Sequence, residues 1–357
     1  MSNAPEEAPF KASAKGVARM PYEAERVAAG GPEAVRLAGP EGSCLVLPGA
    51  GSQLASLCLA PGPGAAPVEV LAAPAPGALA QAGWGAGAPV LFPFPGRVAG
   101  GSYPFRGRTH RLPGGGSRHP LHGFVGLKPW AVVAVGADER GAFARTAVDH
   151  ADLGVPPEAF PGSYRLEVTH RIGPGGYLHE VAVHNVGDAA FPFGYGWHPY
   201  FRVPLGRGGW RGDCLVRLPA DARWELTSDL LPTGRRLAVA GPYDLRRPSA
   251  LGERSFDDPF TALRRDGDGW ARAELADPGA GLCVQVGADP SFETFVLYGP
   301  RTAAAVCLEP YTCAPDAYNR SARGIAAGLR ELEPGESWRG TLAVSLARWA
   351  GAGPEVE

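Results

Sequence analysis

The chain is short of excess charge of either sign, of paired cysteines and of long apolar runs. Its 34 Lys and Arg oppose 36 Asp and Glu, for a formal net charge of -2 over 357 residues. The two signs are interspersed, so there is no electrostatic footprint for nucleic acid or for an anionic membrane surface. Cys44, Cys58, Cys214, Cys283, Cys307 and Cys313 contain no CxxC pair. A chain of this length has no need of disulfide staples, so they read as reduced thiols and a cytoplasmic setting is expected. The first 30 residues hold no apolar h-region, which argues against a secretory leader. No apolar run approaches the roughly 18 residues of a membrane span. Phosphate-cradling and nucleophile motifs are missing too: there is no GxxxxGK[ST] loop, no GxGxxG between a strand and a helix, and no GxSxG elbow.

Turn formers and alternating hydrophobicity are abundant instead. There are 51 glycines and 37 prolines, yet 45% of the chain is apolar, which favours a packed fold with many turns over disorder. SYRLEVTHRI places Tyr164, Leu166, Val168 and Ile172 on one face and Arg165, Glu167, Thr169 and Arg171 on the other. GPGG follows, and YLHEVAVHNV then alternates again, which marks a hairpin. ARAELADPGAGLCVQV, with its turn at Asp277 to Gly281, EAVRLAGPEGSCLVLP and GTLAVSLA repeat the pattern. Glycine or proline interrupts nearly every helical candidate within about ten residues. The expected fold is all-β, a large antiparallel β-sandwich. Residues 1–20 read as a disordered lead-in and 21–350 as one domain, with 60–87 the place where a linker would fall.

Several polar residues stand in unusual settings. FGYGWHPYF (193–201) sets His198 among rings and before a proline. The plainer reading is a core histidine; the sharper one is a proton donor beside a ring platform. Glu309 ends the apolar run AAAVCLE before Pro310, where burial would raise its pKa. The plainer alternative is a glutamate at an exposed strand end before a proline turn. Each of the two precedes proline, which holds the backbone extended. Asp257 and Asp258 are adjacent, so only one can face a given pocket, and the other would cap a turn at Pro259. Arg97 closes the ring-and-proline run FPFPGR. His119 and His122 have metal-ligand spacing but no identifiable third ligand, so no metal and no cofactor is expected.

Taken in order, PVLFPFPGRVAGGSYPFRGRTHRLP, HPLHGFVGLKPW, GYGWHPYF, FDDPF and VCLEPYTCAPDAYN resemble the aldose 1-epimerases, or galactose mutarotase-like proteins. The resemblance runs from about residue 31 to 347. It implies a galactose mutarotase-like β-sandwich with a cleft across one face, Glu309 as general base and His198 as general acid. It also implies His122 as a second active-site histidine, Asp257 as a ligand of a sugar hydroxyl, and Arg97 in the same pocket. Galactose-specific members carry Asn before the catalytic histidine. This chain has Trp197 there, taken as a substrate-facing position at which sugar preference would differ. The implied activity is interconversion of the α and β anomers of a free aldohexose, with Glu309 ionised and His198 protonated at the start. The implied partner is a small sugar, with neither nucleic acid nor membrane, and the assembly a monomer or homodimer. Three alternatives remain: a hexose-6-phosphate 1-epimerase using Arg106, Arg108, Arg111 and Lys128, a non-catalytic carbohydrate-binding sandwich, and a glycosidase using Glu309 and Asp257.

Overall fold

The computed structural model describes residues 21–30, 33–79, 81–113 and 118–351. The expected lead-in 1–20 and most of the glycine-rich tip at 113–117 lie outside them. The hairpin most legible in the sequence is formed. Tyr164–Gly173 and Gly176–Asn185 pair antiparallel without a break, from Tyr164 opposite Asn185 to Gly173 opposite Gly176. The two-residue turn between them needs a left-handed residue, and Gly175 supplies it at φ 92°. Tyr164, Leu166, Val168 and Ile172 are buried, while Arg165, Glu167 and Thr169 are half-buried on the outer face. Arg171 is covered although it lies outside. Its guanidinium rests over the Phe143 ring and bonds Asp138 Oδ1 at 2.6 Å.

This hairpin sits in a nine-stranded sheet whose middle runs Ala271–Asp277, Leu282–Ala288, Ser337–Arg348, Gly176–Asn185, Tyr164–Gly173 and Gly141–Asp149. An eight-stranded sheet packs against it, with Ala220–Leu226, Phe256–Leu263, Thr294–Gly299, Ala305–Tyr311 and Gly196–Trp197 in spatial order. A five-stranded sheet comes from the amino-terminal part. The fold is an all-β antiparallel sandwich. Val168, Val183 and Val344 of one layer meet Trp197, Phe260, Leu297 and Leu308 of the other in one apolar core. Each such side chain contributes about 1.5–3 kcal/mol by leaving water. Among the described residues, no helix is long and apolar enough to cross a membrane.

The segment 60–87 does not behave as a linker. Val68–Glu69 adds a strand to Gln53–Leu59, Ala72 N–H donates to Tyr200 O at 2.8 Å, and Gly87 N–H donates to Ala72 O. Tyr200 N–H in turn donates to Gly87 O and Arg202 N–H to Val70 O, so the segment is held against the strand that follows His198.

Between the two large sheets lies a chain of six fully buried polar side chains. Thr146 Oγ1 donates to Val168 O at 3.3 Å and lies 2.6 Å from Ser52 Oγ. Ser52 Oγ is 2.9 Å from His170 Nε2, and His170 Nδ1 is 2.7 Å from Tyr177 OH. Tyr177 OH is 3.2 Å from His179 Nδ1, and His179 Nε2 is 2.5 Å from Tyr195 OH. One proton arrangement satisfies every link: Tyr195 OH to His179, His179 to Tyr177, Tyr177 to His170, His170 to Ser52, Ser52 to Thr146 and Thr146 to the Val168 carbonyl. It requires both imidazoles to be neutral. Burial acts in that direction, pulling His170 down to about 3 and His179 well below its ordinary value. Tyr195 then leads directly into Gly196–Trp197, so the chain ties the backing sheet to the sheet that carries His198.

Tyr177→Phe leaves ring nitrogens of His170 and His179 unpaired. It is expected to lower stability by about 1–3 kcal/mol, seen as a reduced urea midpoint at constant m-value.

Candidate active site

Strand register assembles the site. Glu309 lies inside Ala305–Tyr311, opposite Val296, and Val296 lies opposite Pro259. Asp257 lies opposite Tyr298, Tyr298 opposite Cys307, and Cys307 opposite Tyr200. The period of two places Cys307, Glu309 and Tyr311 on one face, and Leu308 on the other, in the core. Pro310 continues the strand, so Glu309 is not at an exposed end before a turn. Pro259 is likewise inside Phe256–Leu263. Asp258 therefore caps no turn; it lies 3.6 Å from Arg223 Nη1 of the neighbouring strand.

A cavity of about 260 Å³ opens over this face. Arg97, His122, His198, Asp257 and Glu309 all line it, joined by Trp84, Tyr200, Tyr298 and Tyr311. His198 Nε2 is 3.4 Å from Glu309 Oε1, and Tyr311 OH donates to Glu309 Oε2 at 2.6 Å. The His198 ring stacks on Tyr200 with centroids 4.7 Å apart and an interplanar angle of 5°. Tyr200 OH is in turn held by Trp84 O at 2.6 Å. His122 has φ 65°, a left-handed conformation unusual for a residue with a side chain. Gly96 stabilises it twice, accepting from His122 N–H at 3.0 Å and donating its own N–H to Nδ1 at 3.1 Å. With Nδ1 accepting, the neutral ring carries its proton on Nε2 and is a donor. Arg97 is half-buried, and among the described residues its guanidinium has no hydrogen-bond partner.

Burial governs the electrostatics. Glu309 is 1% exposed and its carboxyl is pushed well above the usual range, first by desolvation and also by Asp257, with the Tyr311 hydrogen bond acting against both. Desolvation pulls His198 down to about 3. His122 is lowered by burial, then by His198 and Arg97. Asp257 is raised by burial, with Arg97 opposing. Without a ligand, burial favours a protonated carboxyl facing a neutral imidazole, the reverse in proton placement of the state with Glu309 ionised and His198 protonated from which the reaction is expected to start. Both descriptions contain one proton and differ only in which partner holds it.

Trp197 does not join the cavity. It is 0% exposed and packs in the core against Tyr177 and His179, with centroids 5.9 and 5.2 Å away. Alternation explains this, because Trp197 and His198 are neighbours and point opposite ways. Of the rings in FGYGWHPYF, Tyr200 is the one that reaches the cavity, while Phe193, Tyr195 and Phe201 are core. Trp84, Tyr298 and Tyr311 were not picked out from sequence. A step of two from Glu309 along an extended strand points to Tyr311, whereas nothing in GWGAG marks Trp84.

Arg106, Arg108, Arg111 and Lys128 are all exposed and outside the cavity, and Arg106 is tied to Glu331 and Glu333. His119 and His122 do not converge. His119 Nδ1 accepts from Gly100 N–H at 3.0 Å, and its Nε2 lies 3.7 Å from Asp229. The donor atoms of His198, Cys307 and Glu309 do lie within 4.8 Å of one another. Their types suit zinc, but burial holds the Cys307 thiol well above its ordinary value and so opposes the thiolate that zinc requires.

The family model of the aldose 1-epimerases matches residues 33–345. The chain belongs to the aldose 1-epimerase family. Among solved structures, it resembles a galactose mutarotase-like protein from Clostridium acetobutylicum, at 21% identity and a TM-score of 0.80, over 92% of this chain and 98% of that one. A galactose 1-epimerase from Lactobacillus acidophilus NCFM gives 17% identity and a TM-score of 0.70, over 92% and 98%. Among curated proteins, the uncharacterized protein YihR of Escherichia coli (strain K12) is 23% identical over 233 residues, covering 64% of this chain and 71% of YihR. These structural likenesses establish a galactose mutarotase-like fold for this epimerase-family member.

Because the His198 pKa is lowered, its ring in the ligand-free protein is expected to remain neutral at pH 5. The ¹⁵N shifts of its imidazole measure this directly, and an imidazolium signal at pH 5 would contradict it.

Proposed function

We propose that this chain is an aldose 1-epimerase that interconverts the α and β anomers of a free aldohexose. The observation that supports this most directly is the desolvated His198–Glu309 pair, 3.4 Å apart, in a small cavity lined by both polar and aromatic side chains. Ring opening needs one proton removed from the C1 hydroxyl and one delivered to the ring oxygen. From the tautomer that carries the pair's single proton on His198, Glu309 takes the first and His198 gives the second. The C1–O5 bond breaks, its electron pair stays on O5, and an open-chain aldehyde forms. Rotation about C1–C2 turns the other carbonyl face to O5. Closure then returns one proton from Glu309 to O1 and one from O5 to His198, restoring the starting state.

The two pKa shifts give this sequence its driving force. A carboxylate with raised proton affinity is a stronger base, and an imidazolium with lowered affinity is a stronger acid. Opening the ring leaves the protonated carboxyl and neutral imidazole that burial favours. His122 Nε2–H and the free guanidinium of Arg97 supply donors for sugar hydroxyls or the ring oxygen, and Asp257 supplies an acceptor. No step calls for a metal or a cofactor. Arg106, Arg108, Arg111 and Lys128 do not line the cavity, which supports a neutral aldose over a hexose 6-phosphate. Six free thiols suit a reducing compartment, and we place the protein in the cytoplasm.

The test is anomeric exchange by NMR, or relaxation of optical rotation, with freshly dissolved glucose, galactose and other aldoses. Glu309→Gln and His198→Asn are each expected to reduce turnover by about 10²–10⁴-fold, the usual contribution of a positioned acid or base. Failure of the parent protein to accelerate exchange of any of these sugars would leave the non-catalytic binding reading in its place.

A further inference from the structure

Beyond the strand that carries Glu309, the chain passes through Cys313, Ala314 and Pro315 to a second buried carboxylate, Asp316. Asp316 is 2% exposed, does not line the cavity and has no part in the acid–base chemistry. Its backbone is left-handed, at φ 56°. A charge this deep is costly unless it is paired, and four donors converge on it. Arg320 Nε and Nη2 reach Oδ2 at 3.0 and 2.8 Å, and Asn319 Nδ2 reaches Oδ1 at 2.7 Å. These belong to the short helix Ala317–Ser321 and answer the charge locally. The fourth donor is different: Ala99 N–H, 217 positions away, reaches Oδ1 at 2.9 Å.

The Ala99 contact makes one residue grip the segment 97–99 twice. The Asp316 N–H donates to Arg97 O at 2.9 Å while its carboxylate holds Ala99 N–H. Pro315 closes against Gly96, which has φ 74° and no room for a side chain, since a Cβ there would lie 2.8 Å from Pro315 Cβ. Asn319 Nδ2 extends the grip to Ser102 O at 3.1 Å. On the opposite side, Val98 N–H donates to Pro120 O and His122 N–H to Gly96 O, each at 3.0 Å. The loop that carries Arg97 is therefore clasped between the histidine segment and the chain leaving the Glu309 strand. The Arg97 guanidinium has no hydrogen-bond partner among the described residues, so nothing at its tip aims it. Its direction is set by its backbone, and its backbone is set by this clasp.

We propose that Asp316 is a positioning residue for substrate binding, whose carboxylate acts through Ala99 N–H to aim Arg97 into the cavity. It touches neither the sugar nor the reacting pair. This rests on the epimerase reading, in which Arg97 donates to sugar hydroxyls. Where those hydroxyls lie away from the breaking C1–O5 bond, the contact is made equally in the ground and transition states. Loss of the clasp then appears in KM and leaves kcat unchanged.

Two substitutions break the clasp from opposite sides. Asp316→Ala removes the carboxylate. Ala99→Pro removes only the N–H that it holds, at the first residue of a 3-10 turn after an extended Val98, where proline fits the backbone. Anomeric exchange is measured on the full chain with the aldose it turns over fastest, and circular dichroism checks each variant for folding. Each variant is expected to raise KM by about tenfold, the scale of one charge-assisted hydrogen bond, with kcat within about twofold of the parent. Added to Arg97→Ala, neither is expected to raise KM further, because the group it aims is gone. Should Asp316→Ala fail to fold, Ala99→Pro alone decides. Parent KM in a folded clasp variant overturns the proposal, as does a rise that persists undiminished on Arg97→Ala, and either result leaves the epimerase reading standing. A fall in kcat at unchanged KM overturns it too. Exchange of no sugar by the parent protein removes the epimerase reading, and this role with it.

Discussion

The 3.4 Å contact between His198 Nε2 and Glu309 Oε1, both buried, is the constraint on which the rest of the site depends. In water an imidazole and a carboxylate would separate charge readily near neutral pH. At this position desolvation opposes charge on either partner, raising the proton affinity of Glu309 and lowering that of His198. A pair built in this way is poorly placed to rest as an ion pair, and on the proposed mechanism it is well placed to exchange protons with a sugar. The same burial that makes the ion pair costly makes its base stronger and its acid stronger. Tyr311 moderates the effect by donating to the second carboxylate oxygen, which fixes its direction.

The sandwich supplies what the contact requires. Paired strands carry Asp257, Tyr298, Cys307, Glu309 and Tyr311 to one face by simple alternation, while Phe260, Leu297 and Leu308 anchor the other face in the core. His198 enters from the short strand alongside. Its direction is set by stacking on Tyr200, and its backbone is held by the bond from His198 N–H to Pro89 O at 3.0 Å. Behind it, the buried polar chain from Thr146 to Tyr195 fixes the height of one layer over the other. Trp197 packs on His179 within that chain, so the residue beside His198 supports the cavity from behind without lining it.

Much of this was legible in the sequence because it depends on local periodicity. Hairpins with a period of two and a glycine turn read directly, whereas Glu309 stood between two readings, a buried carboxylate and an exposed strand end, until the strand was seen to continue through Pro310. The family motifs brought Arg97, His122, His198 and Asp257 together before any geometry was available. Trp197 misled because motif position was taken as orientation, and alternation turns it inward. Trp84 was hidden because its segment has a linker's composition, and only the hydrogen bonds of 60–87 to the Tyr200 strand reveal its place. The protonation of the Glu309–His198 pair could not be read either. Opposite charge and burial act in opposite directions on the imidazole, and the degree of enclosure, which decides between them, is a property of the fold.

The pH dependence of kcat/KM for anomeric exchange tests this account most directly, because it reports on the free enzyme. The active form holds one proton across the pair, and with the His198 pKa lowered to about 3 a second proton is not taken up at mildly acid pH. The acid limb should therefore fall well below the ordinary histidine range, with no loss of kcat/KM as the pH is lowered from 7 to 5 while circular dichroism shows the protein folded. A limb centred near 6.5, moving with substitution of His198, would show an imidazole that titrates as in water and would contradict the desolvated shared-proton pair.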